Sequence, residues 1–162
     1  MNEKVLKALN EQIKLEFYSS FLYLSIASYL ENIPFDGFGK WFRKQANEEH
    51  EHAIKIFNYI IDRNTHVDLQ AIEKPTVKFK SVEDVFALAL EHEQKVTESI
   101  HRLYELAQKE KDHATAVFLM WYITEQVEEE KNANDNIDQI KRAGNDQAAL
   151  YILDQNFSRM AS

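Results

Sequence analysis

The sequence predicts an all-α protein, a bundle of four long helices followed by a short fifth helix. Only three glycines and two prolines occur in 162 residues, which suits long uninterrupted helices. Apolar residues recur at every third or fourth position over four long segments, as in helices that bury one face. The segment 66–80 lacks this period, which indicates a long crossover between the second and third helices.

The first helix is predicted over residues 3–31 and the second over 38–64. Pro34 lies between them, and proline ends a helix because it cannot continue the backbone hydrogen bonding. The first helix carries a face of apolar or small residues: Leu6, Leu9, Ile13, Phe17, Phe21, Leu24, Ala27 and Leu30. The second carries a stripe with polar members: Phe42, Gln45, Glu49, His52, Ile56 and Tyr59. Each helix should bury the face that its stripe marks.

The crossover contains Pro75 and an alternating polar and apolar stretch over 76–79, which is typical of extended chain. Loops of this length are uncommon in compact domains unless they have a structural purpose. In a bundle of four helices, a single long crossover excludes the simple up-down-up-down arrangement.

The third helix is predicted over 82–109, since Ser81 can cap its first turn and acidic residues follow. The fourth is predicted over 113–142, and Gly144 stands where a helix usually ends. A fifth helix over 146–160 would have four apolar members, Ala149, Ile152, Leu153 and Phe157. A helix of that length is unstable alone, so we expect it to dock on the bundle.

Composition excludes several classes of function. A formal net charge of −8 disfavours nucleic acid as a partner, because nucleic-acid binding depends on clustered lysine and arginine. No cysteine is present, so thiolate chemistry and disulfides are excluded. The chain shows no basic-then-apolar leader and no apolar run long enough for a bilayer, and we expect a cytoplasmic protein without a membrane partner.

The most informative feature is a set of acidic residues on the apolar faces of the helices. Glu49 and His52 lie within the stripe of the second helix. Burying both without partners would cost several kcal/mol, and a shared metal ion is the most economical compensation. With the four long helices around one axis, the other three also contribute acids to the interior: Glu16, two turns before Tyr23 on the same face, Glu93, and Glu129 with Gln126. Several carboxylates with one imidazole predict iron or manganese rather than structural zinc.

The Glu-x-x-His spacing is weak evidence by itself, because the chain contains it twice more. Glu98 precedes His101 at this spacing, and Glu110 precedes His113. Glu98 lies off the apolar stripe of the third helix, and Glu110 lies at a helix junction. We therefore expect both pairs to face solvent.

The acidic motifs together carry a family resemblance. The relevant segments are Leu15-Glu16-Phe17-Tyr18, Glu48-Glu49-His50-Glu51-His52-Ala53, Glu93, Glu125-Gln126-Val127-Glu128-Glu129 and the short last helix. On these segments the chain resembles the non-haem bacterial ferritins over essentially its whole length. The resemblance implies a ferritin-like fold and a ferroxidase that oxidises Fe(II) with dioxygen or hydrogen peroxide. It also implies iron storage and detoxification as a ferric mineral in a hollow homo-oligomer of twenty-four subunits.

The resemblance further implies a di-iron centre within each subunit. It assigns the first iron to Glu16, Glu49 and His52, and the second to Glu49 as a bridge with Glu93 and Glu129. It places Gln126 as a hydrogen-bonding residue near the dioxygen site and Tyr23 beside a ligand carboxylate. A third iron site close by would use Glu48, Glu125 and Glu128, with Glu129 shared. Tyr23 and Trp121 are candidate electron donors to the centre, and packing in the core is the alternative role for both.

Three other classes fit less well. A haem-containing bacterioferritin would have methionine after the bridging glutamate, where this chain has His50, so no haem is expected. A rubrerythrin-like oxidase or peroxidase would repeat the Glu-x-x-His motif and often adds a cysteine-rich module, which is absent. A cytokine-like or purely structural bundle leaves the interior acids unexplained.

Overall fold

The computed structural model describes all 162 residues and contains five α-helices and no β-strand. The helices are α1 (Glu3–Asn32), α2 (Asp36–Asp62), α3 (Val82–Lys109), α4 (His113–Ala143) and α5 (Gln147–Met160). The predicted fold class, a four-helix bundle with a short C-terminal helix, is confirmed. Helix α2 begins two residues earlier than the sequence pattern indicates, because Gly37 lies inside its first turn.

The bundle has two apolar cores, one at each end. The first, which we call the aromatic core, is built around Phe38, Phe42, Phe86 and Phe157. The second, the aliphatic core, is dominated by valine, leucine and isoleucine from all four long helices. Each long helix contributes to both cores and is polar between them.

The order of the cores along each helix fixes the topology. Helix α1 runs from the aliphatic core to the aromatic core, and α2 returns. Helix α3 also runs from the aromatic core to the aliphatic core, parallel to α2, and α4 returns. The chain between α2 and α3 must therefore travel the length of the bundle, which explains the long crossover.

The crossover follows α1. Glu73 pairs with Lys14 at 2.6 Å, and Ser25 Oγ donates a hydrogen bond to the carbonyl of Thr76 at 2.5 Å. Further along, the ring of Phe79 contacts that of Tyr29. Contacts at three successive levels of α1 hold this extended segment in place.

Helix α5 covers the end of the aromatic core. The ring of Phe157 lies 5.0 Å from that of Phe38, centroid to centroid. The buried Asp154 carboxylate accepts a hydrogen bond from the backbone N–H of Phe38 at 2.8 Å. A side chain at Gly37 would collide with the Asp154 carbonyl, 1.8 Å from the position of its Cβ. The close approach requires glycine there.

Two predicted faces were wrong in detail. On α5, Leu150 and Asp154 are buried, whereas Ile152 is exposed, so the docking face is rotated from the predicted one. On α1, Phe21 and Leu24 are nearly half exposed. Helix α1 is apolar on more than one side, and its inner face is the one that carries polar residues.

None of the five helices combines the length and the apolar character needed to span a membrane.

Candidate metal centre

Polar side chains from the four long helices meet in the gap between the two cores. All are at most 7% exposed: Glu16, Glu49, His52, Glu93, Gln126 and Glu129. Those of α2, α3 and α4 lie on the apolar stripes of their helices, so the packing that buries the neighbouring apolar side chains buries these as well. Glu16 lies on the inner face of α1, between Ile13 and Tyr23, rather than on the predicted apolar stripe. The structure brings together all six residues that were singled out in the sequence.

The side chains form three overlapping groups of possible ligand atoms, in each of which the atoms lie within 4.8 Å of one another. The groups are Glu16 with Glu49 and His52, Glu49 with Glu93 and Glu129, and His52 with Glu125 and Glu129. Glu49 is common to the first two groups, and those two are fully buried. Glu49 is therefore the carboxylate that the two buried groups share.

His52 is placed between carboxylates without a short hydrogen bond to any of them. Its Nδ1 lies 3.4 Å from Glu49 Oε2 and 4.0 Å from Glu16 Oε2. Its Nε2 lies 4.0 Å from Glu125 Oε1. The Tyr122 hydroxyl donates to the His52 backbone carbonyl at 2.7 Å, which fixes this turn of α2 against α4. Burial lowers the pKa of His52, so the imidazole is available in the neutral form that binds metals.

Three buried carboxylate oxygens have no hydrogen-bond partner, and two of them belong to the centre: Glu16 Oε2 and Glu49 Oε1, the third being Asp112 Oδ2 near the start of α4. An unsatisfied buried acceptor costs about 1–3 kcal/mol, and more when it is charged. Such orphaned atoms are rare unless a ligand completes them. The residues present therefore fit a cation that is bound between these two carboxylates.

A relay from α3 to α1 orients Glu16. Gln12 Nε2 donates to Glu16 Oε1 at 2.8 Å, and Ser99 Oγ donates to Gln12 Oε1 at 2.7 Å. The serine fixes which end of the amide faces the carboxylate. Sequence reasoning missed both residues, although Gln12 lies four positions before Glu16 on the same helical face.

Glu93 is oriented by two neutral donors. The Tyr23 hydroxyl donates to Glu93 Oε1, and Gln126 Nε2 lies 3.2 Å from Glu93 Oε2. Burial and the neighbouring Glu93 raise the pKa of Tyr23 well above its ordinary value, so the phenol keeps its proton and remains a donor. Both residues were singled out from the sequence, and the structure places both against the same carboxylate.

His92 is a buried neighbour of the centre that the sequence analysis missed. Its Nε2 lies 2.7 Å from Ser19 Oγ, and its ring packs edge-on against that of Tyr23. Burial lowers the pKa of His92 to about 4, so the ring is neutral at physiological pH. His92 directly precedes Glu93 in the sequence, and this position beside a predicted metal ligand could have identified it.

The interior acids have elevated pKa values. Burial raises the pKa of Glu16 and of Glu93. Burial, followed by the charges of Glu93 and Glu16, raises the pKa of Glu49 well above its usual range. Burial and the Glu93 charge raise the pKa of Glu129 to about 8. Without a cation, the centre therefore holds protons at neutral pH.

The acids assigned to a third iron site lie at the α2–α4 side of the centre. Glu125 is partly buried, and burial raises its pKa, followed by the charges of Glu128 and Glu48. Glu48 accepts a hydrogen bond from Gln45 at 2.7 Å, and Glu128 is exposed. The structure brings Glu125 into a ligand group with His52 and Glu129, but not Glu48 or Glu128.

The two other Glu-x-x-His pairs lie away from this centre. Glu98 is exposed and lies 3.7 Å from Arg102. Glu110 is paired with Lys4 at 2.9 Å and its side chain is only 16% exposed, so the prediction that it faces solvent is wrong for this residue. Both histidines of these pairs, His101 and His113, are exposed.

A four-helix bundle with one long crossover and a buried carboxylate–histidine cluster shared among its helices defines the class of ferritin-like metal proteins. A family model described as "Ferritin-like domain" matches residues 6–143. The bacterial non-heme ferritin of Staphylococcus aureus (strain USA300) is 37% identical over 155 residues, covering 96% of this chain and 93% of the relative. That of Staphylococcus haemolyticus (strain JCSC1435) is 37% identical over 158 residues, covering 98% and 95%.

Solved structures of ferritins also resemble this chain closely. An open pore ferritin from the hyperthermophilic archaeon Archaeoglobus fulgidus superposes with a TM-score of 0.96 at 45% identity, over 98% of both chains. An engineered closed form of the Archaeoglobus fulgidus ferritin gives 0.96 at 46% identity, over 98% of this chain and 96% of that one. The chain belongs to the ferritin family. Its membership and its buried ligand set support metal binding and iron storage.

Proposed function

We propose that this protein oxidises ferrous iron at the buried centre, with dioxygen or hydrogen peroxide as oxidant, and stores the product as a ferric mineral. The observation that carries the proposal is the pair of buried ligand groups that share Glu49 within one chain. Two adjacent cation positions allow two one-electron donors to act on one oxidant. The ferritin family and the relatives named as ferritins support the same activity.

In this proposal the two ferrous ions are substrates held by different helices. Glu16, Glu49 and His52 bind the first ion, and Glu49, Glu93 and Glu129 bind the second. Each ion loses one electron. The two electrons reduce dioxygen, with two protons, to hydrogen peroxide, or reduce hydrogen peroxide, with two protons, to two molecules of water.

The chain's own residues manage charge and orientation. Carboxyl groups with raised pKa values release protons when cations bind, so the net charge of the centre changes little. Tyr23 and Gln126 donate to Glu93 and keep its carboxylate turned toward the second ion. Gln12 does the same for Glu16 and the first ion.

A third iron site on the α2–α4 side is part of the proposal. Glu125 already faces His52 and Glu129. Glu48 would join after turning away from Gln45, and Glu128 would join from the surface. Burial, followed by the charges of Glu128 and Glu48, raises the pKa of Glu125, and a cation among these acids would relieve their repulsion.

Storage requires an assembly, and we propose a hollow homo-oligomer of twenty-four subunits. Phe21 and Leu24 leave an apolar surface on α1 that a second copy can cover. The names of the relatives and structural neighbours support a ferritin assembly. The cytoplasmic location stays a prediction from the sequence.

Anaerobic titration of the metal-free protein with ferrous iron, followed by air, tests the proposal. We expect fast oxidation that saturates at two to three irons per chain, a large hollow particle by scattering, and further iron kept in solution. Oxidation without retained iron, or a small particle, would favour a di-iron redox enzyme on the same bundle. Slow oxidation without saturation would contradict the ferroxidase assignment.

A further inference from the structure

A narrow pocket leads from the surface to the Glu93 and Glu129 carboxylates. Its walls are apolar and include Phe42, Phe86 and Ala89. Its remaining polar lining consists of Tyr23 and three amides: Gln45, Asn132 and Asn136. Apart from the two carboxylates at its inner end, no lining residue carries a charge. We call it the neutral pocket.

The neutral pocket is small. It offers about 20 Å³ to the centre of a water-sized molecule, and one such molecule needs about 10–15 Å³. A diatomic gas, water or hydrogen peroxide fits this space. An organic substrate does not.

The centre is also approached from a second opening beside His52, and the two differ in width and in the groups that line them. Two acids and two lysines line this charged opening, together with Asn47 and Trp121: Lys44, Glu48, Glu51 and Lys55. It offers about 450 Å³ to the centre of a water-sized molecule, so a cation can enter with its hydration shell and contact carboxylate oxygens on the way. The neutral pocket is too narrow for a hydrated ion, and a dication would lose hydration there without a compensating charge until it reached the centre.

We propose that the neutral pocket is the binding and admission site for the small uncharged oxidant, dioxygen or hydrogen peroxide. The oxidant reaches the Glu93–Glu129 side of the centre by a route that ferrous ions do not use. This inference rests on the proposed ferroxidase function. The separation lets an oxidant arrive while metal ions occupy the other approach.

Narrowing the pocket tests the inference. Ala133 on α4 lines the pocket and is half-buried, and Ala133→Leu adds bulk without charge. Asn47→Leu places a leucine at the charged opening and serves as the matched control. Each protein is loaded anaerobically with two ferrous ions per chain and then mixed rapidly with dioxygen at several concentrations, so that metal binding is complete before the oxidant arrives.

We expect the rate constant for the dioxygen-dependent step to fall several-fold in Ala133→Leu and to stay at the wild-type value in Asn47→Leu. Anaerobic titration with Co²⁺ should give the same affinity in all three proteins. If Co²⁺ binding changes in Ala133→Leu, then Asn136→Leu, one turn along α4, replaces it. An unchanged dioxygen dependence in the variant that keeps Co²⁺ binding overturns the proposal, as does a selective loss in Asn47→Leu.

Anaerobic mixing with hydrogen peroxide separates the two oxidants. If the variant oxidises iron more slowly with both oxidants, the pocket admits both. If it is slower with dioxygen alone, hydrogen peroxide does not use the pocket. A wild-type protein that binds Co²⁺ but shows no fast iron oxidation would refute the proposed function itself. If instead the wild-type protein oxidises iron rapidly and the Ala133→Leu variant oxidises it equally fast, only the pocket inference fails.

Discussion

The two sides of the metal centre are built on opposite principles. On the α1–α3 side, Glu16 and Glu93 each accept a hydrogen bond from a neutral, buried donor, Gln12 or Tyr23. On the α2–α4 side, Glu125 has no such donor, and burial, followed by the charges of Glu128 and Glu48, raises its pKa. Neutral donors hold a carboxylate in one orientation, whereas neighbouring acids repel one another and favour a cation among them. We expect the α1–α3 side to set the geometry of the chemistry and the α2–α4 side to attract the metal.

Removing the carboxylate that joins the two sides should have the largest effect. Glu49→Ala takes a shared ligand from both proposed iron positions, and we expect rapid ferrous oxidation to fall by more than about 100-fold, beyond the usual effect of an outer residue. The helical assembly should persist, because the change also removes a buried acid that repels its neighbours. Stopped-flow oxidation and circular dichroism measure the two properties.

Glu98→Gln is the matched control for this change. Glu98 belongs to an exposed Glu-x-x-His pair, and its variant should oxidise iron at the wild-type rate. Near-normal oxidation by Glu49→Ala would contradict the site assignment.

Gln12→Leu tests the α1–α3 side of the centre. The substitution removes the donor to Glu16 Oε1 and leaves a second unpaired oxygen on that carboxylate. We expect metal affinity to fall by about 10–100-fold, the range for residues that orient metal ligands. Anaerobic Co²⁺ titration measures it. Ser99→Ala keeps the Gln12 amide that donates to Glu16 and removes only the hydrogen bond that orients this amide, so it should have a smaller effect. Equal losses in both variants would mean that general packing, rather than the relay, is responsible.

The protons held by the centre predict a pH dependence of stability. Glu129 has a folded-state pKa of about 8, far above its unfolded value, so the folded state binds more protons over the interval between them. Stability of the metal-free protein should therefore fall as pH rises from about 6.5 to about 8, by on the order of 1–2 kcal/mol. The lowered pKa values of the buried histidines act in the opposite direction, but their contribution fades within about one pH unit above the unfolded value of 6.5.

Thermal unfolding in the presence of a chelator measures this trend. Glu129→Gln should make the decline shallower, and Co²⁺ should abolish it because the cation displaces the protons. A midpoint temperature that rises with pH in the metal-free protein would refute the elevated pKa values.

The smallest effect is expected on the α2–α4 side of the centre. Glu128→Ala removes an exposed acid, so the initial oxidation rate should change little. The ratio of iron oxidised to dioxygen consumed should shift, because the third site would fill less readily. An oxygen electrode with parallel iron absorbance measures that ratio. No change in either quantity would remove the support for a third iron site.

The sequence predicted the fold and the inner acids for the same reason. A glutamate in an apolar stripe, such as Glu93, must be buried when its helix packs, and the stripe is visible in the chain. The orienting residues could not be found in this way. Ser99 and Gln12 resemble ordinary surface residues, and only the packing of α3 on α1 brings them together. Phe21 was misplaced because α1 offers more than one apolar side.

The topology has a further consequence for how the molecule opens. Helices α1 and α2 form one hairpin with a short turn, α3 and α4 form another, and only the crossover links the two. Glu16, Glu49 and His52 come from the first hairpin, whereas Glu93 and Glu129 come from the second. In the proposed centre the second cation would therefore join the two hairpins, through Glu49 of the first and Glu93 and Glu129 of the second, whereas the first cation would be held within one hairpin. Amide hydrogen exchange where the hairpins meet should slow on metal loading, while exchange inside each hairpin changes less.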